Sequence, residues 1–225
     1  MGTGLVYKFR ELINKPSNLK KKKKILMFRE EARERIKNKN FTILCPNCIG
    51  GMIYHDLGMK FLSPTINLFI YDHDFVKIAL NPRYYLEQEL RFHDSEFDYP
   101  VATLGGGEIE IYFNHYATKE DAAKSWERRK KRINWDNIYV ILYDRMYVTR
   151  EMILSLKSAP CRRVIVLTEK YDNCDIDYVY HIERKQISKP NSQVFLDERE
   201  SGLKTFEEEF DFVTWLNNEK LDKNK

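Results

Sequence analysis

The residues best suited to chemistry in this chain lie in three short polar segments, each between an apolar run and an amphipathic run. The first segment contains Cys48, the second His115 and the third Asp144. A thiol, an imidazole and a carboxylate can serve as the nucleophile, the general base and the orienting acid of an acyl-transfer enzyme. These residue types therefore predict a group-transfer site, provided that the fold brings them together.

Cys48 has the most informative surroundings. It follows the strand-like run from Phe41 to Cys45 and a tight turn, and it opens a predicted helix. A thiol at a helix N-terminus has a lowered pKa and is more nucleophilic. Gly50 and Gly51 are costly in a helix, so they indicate the close approach of another group. The alternative is that Cys48 is a small buried side chain, since free cysteine is among the most buried residue types.

Cys45 and Cys48 also form a CxxC pair, which has two further interpretations. In a thioredoxin-like redox site the first cysteine is the exposed nucleophile, whereas Cys45 ends a predicted strand. A zinc site needs a second ligand pair, and Cys161 and Cys174 are separated by twelve residues in different predicted elements. We therefore predict no metal site and assign no cofactor.

Polar and basic side chains near the three segments are candidates for substrate binding. Arg129 and Arg132 lie near the end of a predicted helix and suit a phosphate or another anion. Their simpler interpretation is a solvated basic face at the negative end of the helix dipole. The predicted substrate-binding residues are Asn47, Gly50, Gly51, Ser63, Thr65, Asn67, Tyr116, Arg129, Arg132, Asn134 and Arg145.

The elements that must position these residues alternate between short apolar runs and longer amphipathic runs. This pattern is typical of strand-helix-strand units. The predicted strands are residues 41–45, 67–71, 101–104, 109–113, 138–143, 163–167 and 178–182. The predicted helices of the same region are residues 49–58, 74–91, 118–132, 149–156 and 205–217. Gly105 to Gly107 predict a hairpin turn, because a phosphate-binding loop would need a different glycine spacing.

This order of elements predicts an α/β protein, a three-layer α/β/α arrangement around a mixed, mostly parallel sheet. Thr118 and Asp121 predict a capped start for the helix over residues 118–132. The carboxyl ends of parallel strands meet at one edge of a sheet, where ligands bind in open α/β folds. If the strands are parallel, Cys48, His115 and Asp144 lie along that edge.

Length, composition and charge narrow the classes of protein. The chain has 225 residues, 43% of them hydrophobic, which predicts one compact domain over residues 41–220, a basic helical leader over 1–40 and a frayed end over 221–225. No apolar run is long enough for a membrane span, and no secretory signal is present, so we expect a cytoplasmic protein. Its four cysteines do not form a disulfide framework.

The positive charge is confined to the leader. Residues 1–40 hold 13 Lys and Arg against 4 Asp and Glu, whereas the other 185 residues hold 25 against 30. A nucleic-acid-binding domain would spread its basic residues over a folded face, so this class is excluded. Lys20 to Lys24 precede an apolar stripe and predict either a helix that docks on anionic lipid at the inner membrane face or a solvated helix packed on the domain edge. The stripe consists of Ile25, Leu26, Met27, Phe28, Ala32 and Ile36.

Several ordered blocks over residues 41–168 resemble one bacterial family. The blocks are Asn47-Cys48-x-Gly50-Gly51, Tyr54-x-x-Leu57-Gly58, Ser63-Pro64-Thr65-x-Asn67-Leu68-Phe69-Ile70, Tyr99-Pro100, His115-Tyr116, Trp126-x-x-Arg129-x-x-Arg132-Ile133-Asn134 and Asp144-Arg145. They are similar to the family labelled exopolysaccharide biosynthesis protein, the domain of unknown function 1919. The resemblance implies a layered α/β/α domain and a place in surface-polysaccharide synthesis, and it supplies no catalytic residues.

The chain departs from the pattern of that family at three places. Pro46 and Ile49 replace an Asn and a Trp, which removes a stacking ring. Met146 stands where the family commonly has a second acid, so metal binding at Asp144 is disfavoured. Cys45 stands where Ser is more common, so the CxxC pair is a local feature of this chain.

Together these observations predict a transferase of bacterial exopolysaccharide or capsule synthesis whose substrate is a nucleotide-linked or lipid-linked sugar. In an acyl transfer, Cys48 is the nucleophile, His115 its base and Asp144 the orienting acid. In a glycosyl transfer, Asp144 or His115 is the base and the arginines hold a diphosphate. The alternative to an enzyme is a non-catalytic module that binds the membrane surface within a polysaccharide assembly complex.

Overall fold

The structure is a computed structural model that describes residues 16–144, 147–171, 175–182 and 196–221. These residues form two compact units. Residues 16–37 and 196–221 belong to the first unit, and residues 38–182 belong to the second. The domain boundaries expected from the sequence stay a prediction. In the described ranges, no helix is both long enough and apolar enough to cross a bilayer.

The α-helices of the described residues lie where the sequence predicted helices. The predicted helices over residues 74–91 and 205–217 are each divided into two shorter helices. The helices are α1 (Pro16–Arg35), α2 (Ile49–Asp56), α3 (Asp72–Leu80), α4 (Pro82–Glu87), α5 (Lys119–Lys130), α6 (Arg150–Ser155), α7 (Thr205–Glu209) and α8 (Phe212–Leu216). Pro82 separates α3 from α4 because proline has no N–H for a helical hydrogen bond. The Thr118 side chain accepts a hydrogen bond from the Asp121 N–H at 3.1 Å, so the predicted cap of α5 is confirmed.

Within the described residues, the strands form two sheets of four strands each. They are β1 (Thr42–Leu44), β2 (Phe69–Ile70), β3 (Arg91–His93), β4 (Val101–Leu104), β5 (Ile109–Tyr112), β6 (Ile138–Tyr143), β7 (Arg163–Thr168) and β8 (Val179–His181). The α/β class predicted from the sequence is confirmed. Parallel and antiparallel pairs lie in separate sheets, however, and do not mix in one.

The parallel sheet has the strand order β1-β6-β7-β8. Every residue of β6 is buried, as expected for an inner strand of a parallel sheet. In the register, Leu44 of β1 pairs with Val140 of β6, and Ile141 pairs with Ile165 of β7. The carboxyl ends of β1, β6 and β7 therefore share one edge.

The antiparallel sheet has the order β2-β5-β4-β3. Strands β4 and β5 form the predicted hairpin, and Gly105, Gly106 and Gly107 all have positive φ in its turn. The sequence analysis placed Cys48, His115 and Asp144 along one edge on the condition that their strands are parallel. Strand β5 does not meet this condition, because it pairs antiparallel with β2 and β4.

One hydrophobic core joins both sheets of the second unit. Val140 and Leu142 of the parallel sheet belong to the same buried cluster as Ile111 of the antiparallel sheet. Trp126 of α5 enters this cluster and packs edge-on against Phe113, with ring centroids 6.2 Å apart. The relative position of the two sheets is thus fixed by packing, which matters for any site that draws on both.

The first unit combines α1 with the C-terminal helices. Ala32 and Ile36 of α1 are buried, and the Phe28 ring lies 5.9 Å from the ring of Phe212 in α8. Arg35 forms an ion pair with Asp211, the residue that caps α8. The apolar stripe of the leader is therefore partly covered within this unit.

Candidate functional site

The turn between β1 and α2 exposes one of its two cysteines and buries the other. The Cys45 thiol is buried and donates a hydrogen bond to Asn47 Oδ1 at 3.1 Å. Burial raises the pKa of Cys45 to about 12, so this sulfur stays a thiol at neutral pH. Cys48 is the N-cap residue of α2 and is half-buried, so its sulfur reaches the surface.

Cys48 and His115 meet although they come from different sheets. The Cys48 Sγ lies 3.5 Å from His115 Nε2. His115 is exposed, in a tight turn after β5 that is closed by a hydrogen bond from the Tyr116 N–H to the Phe113 carbonyl at 2.9 Å. A thiol beside an imidazole is the arrangement that activates a cysteine nucleophile. His115 therefore reaches the end of β1 from the antiparallel sheet, and not from a strand of the parallel sheet.

Asp144 lies at the expected edge of the parallel sheet but does not contact His115. Its carboxylate is buried and accepts hydrogen bonds from Thr168 Oγ1 at 2.9 Å and from Lys170 Nζ at 2.8 Å. Among the described residues, the site is therefore a cysteine–histidine pair without the predicted orienting acid. Lys170 is a polar neighbour of Asp144 that the sequence analysis missed, and its place two residues beyond the end of β7 is the signal that could have found it.

The two glycines of α2 contact protein. A Cβ on Gly50 would lie 2.8 Å from Ile66 Cδ1, and a Cβ on Gly51 would lie 2.0 Å from Asn67 Oδ1. Asn67 itself has a φ of 57°. The close approach that the glycines indicated is therefore that of the loop before β2. This loop accounts for both glycines without a ligand.

Ser63 and Thr65 are fully buried in the same loop. Their hydroxyl oxygens lie 3.1 Å apart, and Thr65 Oγ1 accepts a hydrogen bond from the Cys45 N–H at 3.3 Å. Ser63 and Thr65 were predicted to bind substrate, but both are buried and their hydroxyl groups have protein partners. Their contacts position the end of β1, from which Cys48 follows.

The arginines of α5 and its C-terminal turn hold that loop from the other side. Arg129 donates to the Ile66 carbonyl at 2.9 Å and lies over the Phe61 ring at 5.0 Å. Arg132 donates to the Phe61 carbonyl at 3.2 Å. Burial lowers the pKa of Arg129, and the neighbouring Tyr116 opposes this shift. Both guanidinium groups thus have protein partners.

Two further predicted binding residues also have structural contacts. The hydrogen bonds of Asn134 are made with the protein itself. Its backbone N–H donates to Thr42 Oγ1 at 2.8 Å, and its side-chain amide donates to the Asn40 carbonyl at 3.1 Å. Asn47 Oδ1 accepts from the Ile49 N–H at 3.0 Å, so this N–H at the start of α2 is already bonded. Arg145 lies outside the described residues.

No metal site is found in the part of the chain that the structure describes, since no three His, Cys, Asp or Glu side chains cluster there. The fold and the paired side chains define a class: an α/β protein with a thiol–imidazole pair at the carboxyl edge of a parallel sheet.

Comparison with known proteins identifies the family. The model of the family described as "Domain of unknown function (DUF1919)" matches residues 19–217, and the chain belongs to this family. A protein of Haemophilus influenzae (strain ATCC 51907 / DSM 11121 / KW20 / Rd), named "Uncharacterized protein", is 30% identical over 185 residues, which are 82% of this chain and 88% of that protein.

Proposed function

We propose that this protein is a cysteine-dependent acyltransferase that modifies a sugar of bacterial exopolysaccharide or capsule. The observation that carries the proposal is the distance of 3.5 Å between the Cys48 sulfur and His115 Nε2. The donor is an acyl thioester of the coenzyme A type, and the acceptor is a sugar on a nucleotide or lipid carrier. The proposal assigns the enzyme to the cytoplasmic side of the inner membrane.

The first half of the reaction acylates the enzyme. His115 Nε2 takes the proton of the Cys48 thiol, and the thiolate adds to the carbonyl carbon of the donor. The tetrahedral intermediate then breaks its bond to the sulfur of the donor. The donor thiol leaves with the proton from His115, which leaves an acyl thioester on Cys48 and a neutral imidazole.

The second half transfers the acyl group to the sugar. A sugar hydroxyl gives its proton to His115 Nε2 as its oxygen attacks the thioester carbonyl. The bond between carbon and the Cys48 sulfur breaks, and His115 returns a proton to the sulfur. The products are an O-acyl sugar and free enzyme, so each proton is accounted for.

The surroundings favour acyl over glycosyl transfer. A glycosyl transfer would use Arg129, Arg132 or Arg145 to hold a diphosphate, and the first two guanidinium groups bond to backbone carbonyls of the loop before β2. Of the two bases considered for a glycosyl transfer, Asp144 and His115, the Asp144 carboxylate is buried and paired with Lys170. The sugar acceptor is supported by the resemblance to exopolysaccharide biosynthesis proteins.

The test is whether an acyl group becomes attached to Cys48. The protein is incubated with acetyl-, succinyl- and long-chain acyl-coenzyme A, and the intact mass and the released thiol are followed. We expect an acyl adduct in the wild type, a loss of at least 100-fold in Cys48→Ser and His115→Ala, and no change in Cys161→Ser, the matched control. Thiol release that persists in Cys48→Ser overturns the proposal. Turnover of nucleotide sugars that is unaffected by Cys48→Ser supports glycosyl transfer instead.

A second candidate function, docking on an anionic membrane surface, is favoured by the exposed face of α1. Leu26 and Met27 are each 58% exposed, and Leu19, seven residues before Leu26, is 51% exposed. Lys20, Lys22, Lys23 and Lys24 are exposed on the same helix. Apolar side chains flanked by lysines match the boundary between lipid headgroups and acyl chains. This function is compatible with the enzyme, since a lipid-linked sugar lies at that surface.

Vesicle sedimentation tests the docking function. Each lysine near an anionic surface contributes about 1 kcal/mol, so Lys20→Gln, Lys22→Gln and Lys23→Gln together are expected to weaken binding to phosphatidylglycerol vesicles roughly 100-fold. The control replaces the exposed Lys60, Lys124 and Lys157 in the same way. Binding that is equal in both triple variants, or that is insensitive to salt, argues against docking through α1.

A further inference from the structure

The outer face of the antiparallel sheet carries a group of aromatic rings. Phe69 of β2 pairs with Tyr112 of β5 in the register, with ring centroids 5.4 Å apart. Tyr71 lies 4.8 Å from Phe69 and 5.5 Å from Tyr112. Phe97 lies 5.5 Å from Tyr112 and stacks on Tyr99 at 5.0 Å and 12°. We call these five residues the aromatic face.

Strand alternation explains why the aromatic face points away from the core. Ile70 and Ile111, the neighbours of Phe69 and Tyr112, belong to the buried core cluster, so the rings lie on the other side of the sheet. Phe97 is 42% exposed, Phe69, Tyr71 and Tyr99 are partly buried, and Tyr112 is buried at 6% exposure. Contacting aromatic rings that reach the surface of a folded domain indicate a binding surface.

Polar groups lie among these rings. The Tyr112 hydroxyl donates to Glu110, whose carboxylate is also 3.2 Å from His93 Nε2. The His73 ring stacks on Tyr71, with centroids 5.9 Å apart. A sugar ring presents apolar C–H faces and a rim of hydroxyl groups. Flat rings bordered by carboxylate, hydroxyl and imidazole groups complement both parts of that ligand.

The negative charge of the loop between β3 and β4 determines which ligands can stack on the aromatic face. The segment between β3 and β4 contains Asp94, Glu96 and Asp98, and Asp94 pairs with Lys119 at 2.8 Å. With Glu110 nearby, carboxylates predominate around the aromatic face. A nucleic acid or an anionic lipid is repelled by such a surface, whereas a neutral saccharide is not.

The aromatic face is continuous with the cysteine–histidine pair through the backbone. Ile70 donates its N–H to the Pro46 carbonyl at 3.1 Å, and Pro46 lies two residues before Cys48. Tyr112 lies three residues before His115, so their Cα atoms are within about 11 Å. The strands that carry the aromatic face are therefore directly connected to the turns that carry Cys48 and His115.

We propose that the aromatic face binds a neutral saccharide and forms the acceptor subsite of the enzyme. The role as acceptor subsite depends on the acyltransferase proposed above, whereas the binding itself does not. Phe97 and Tyr99 supply the stacking surface, and Glu110 accepts hydrogen bonds from sugar hydroxyls.

Calorimetric titration with cellohexaose, maltohexaose and chitohexaose tests the binding in the absence of any donor. We expect millimolar or tighter binding of at least one of these oligosaccharides to the wild type and to Cys48→Ser alike. Phe97→Ala and Tyr99→Ala should each weaken it at least tenfold. Tyr84→Ala, which removes a ring that is 47% exposed on α4, is the matched control and should bind as the wild type does.

The results separate this proposal from the acyltransferase. No binding of any of the three oligosaccharides at 10 mM, or equal binding by all variants, overturns the saccharide subsite. Binding of single-stranded RNA or of an unfolded peptide at the aromatic face in place of sugar overturns it as well. An acyl adduct on Cys48 in the absence of saccharide binding leaves the acyltransferase standing and removes only the subsite. Unchanged melting temperatures of Phe97→Ala and Tyr99→Ala exclude a loss of fold as the cause of weaker binding.

Discussion

Tyr54→Phe probes how the free edge of the parallel sheet is closed. Strand β1 is an edge strand, so its outward N–H and C=O groups have no strand partner. The Tyr54 hydroxyl takes that place: it accepts from the Ile43 N–H at 2.9 Å and donates to the Phe41 carbonyl at 3.1 Å. All three residues are fully buried, so water does not replace the hydroxyl. Burial also raises the pKa of Tyr54, which therefore keeps its proton.

The cost of removing this hydroxyl follows from the two groups it leaves behind. A buried backbone donor or acceptor without a partner costs about 1–3 kcal/mol. Two such groups, one of them a carbonyl that tolerates the loss better, predict a destabilisation of about 2–4 kcal/mol. With a urea m-value of about 2 kcal/mol/M, the midpoint should fall by about 1–2 M.

Urea unfolding followed by fluorescence measures this change. Tyr171→Phe is the matched control, because the Tyr171 hydroxyl is half-buried and donates only to the Val148 carbonyl, at 3.2 Å. We expect the control to lose less than about 1 kcal/mol. If Tyr54→Phe and Tyr171→Phe shift the midpoint equally, the edge of β1 is not closed by Tyr54 and the reasoning is refuted.

Two further predictions concern the thiols and the cap of α5. Among the three cysteines that the structure describes, iodoacetamide at pH 8 should modify Cys48 first, Cys161 slowly and Cys45 only on unfolding, because burial raises the pKa of Cys161 to about 11 and that of Cys45 to about 12. Peptide mapping by mass spectrometry checks the order, and equal rates for Cys45 and Cys48 in native protein contradict it. Thr118→Ala should destabilise the protein by about 1 kcal/mol through loss of the cap of α5, and Thr118→Ser should not. A melting curve for each variant decides, and equal losses in both would falsify the capping role.

Much of the fold could be predicted because its strands are apolar runs between turn residues. The seven predicted strands correspond to β1, β2 and β4 to β8. Strand β3, with only three residues and no fully buried side chain, gave no such signal. The break between α3 and α4 was predictable from the sequence, because Pro82 lies within residues 74–91, which were predicted to form one helix.

The antiparallel direction of β5 was predictable from the sequence. Residues 105–107 predict a hairpin, and a hairpin makes its two strands antiparallel. The placement of His115, which follows β5, at the edge of a parallel sheet held only if β5 was parallel to the other strands. His115 reaches Cys48 by a different route, through a turn after an antiparallel strand.

The partners of the polar side chains could not be predicted, since they depend on long-range packing. Arg129 and Ile66 are 63 residues apart in the chain, and Lys170 is 26 residues from Asp144. The sequence identifies residues capable of binding an anion but does not show whether backbone carbonyls already occupy them. Arg129 and Arg132 both bond to backbone carbonyls, so these two candidate ligand residues stabilise the loop before β2.

Cys48 and His115 come from different sheets, so the polar residues around them are needed to hold the two turns in place. Cys48 extends from the parallel sheet and His115 from the antiparallel sheet, so the distance between their reacting atoms depends on how the two sheets pack. Ser63 and Thr65 fix the end of β1, while Arg129 ties the adjoining loop to α5. Reacting groups must be held within a fraction of an ångström to be effective. In the proposed enzyme, residues that the sequence suggested as substrate ligands are thus positioning residues, because they hold the turns that carry Cys48 and His115.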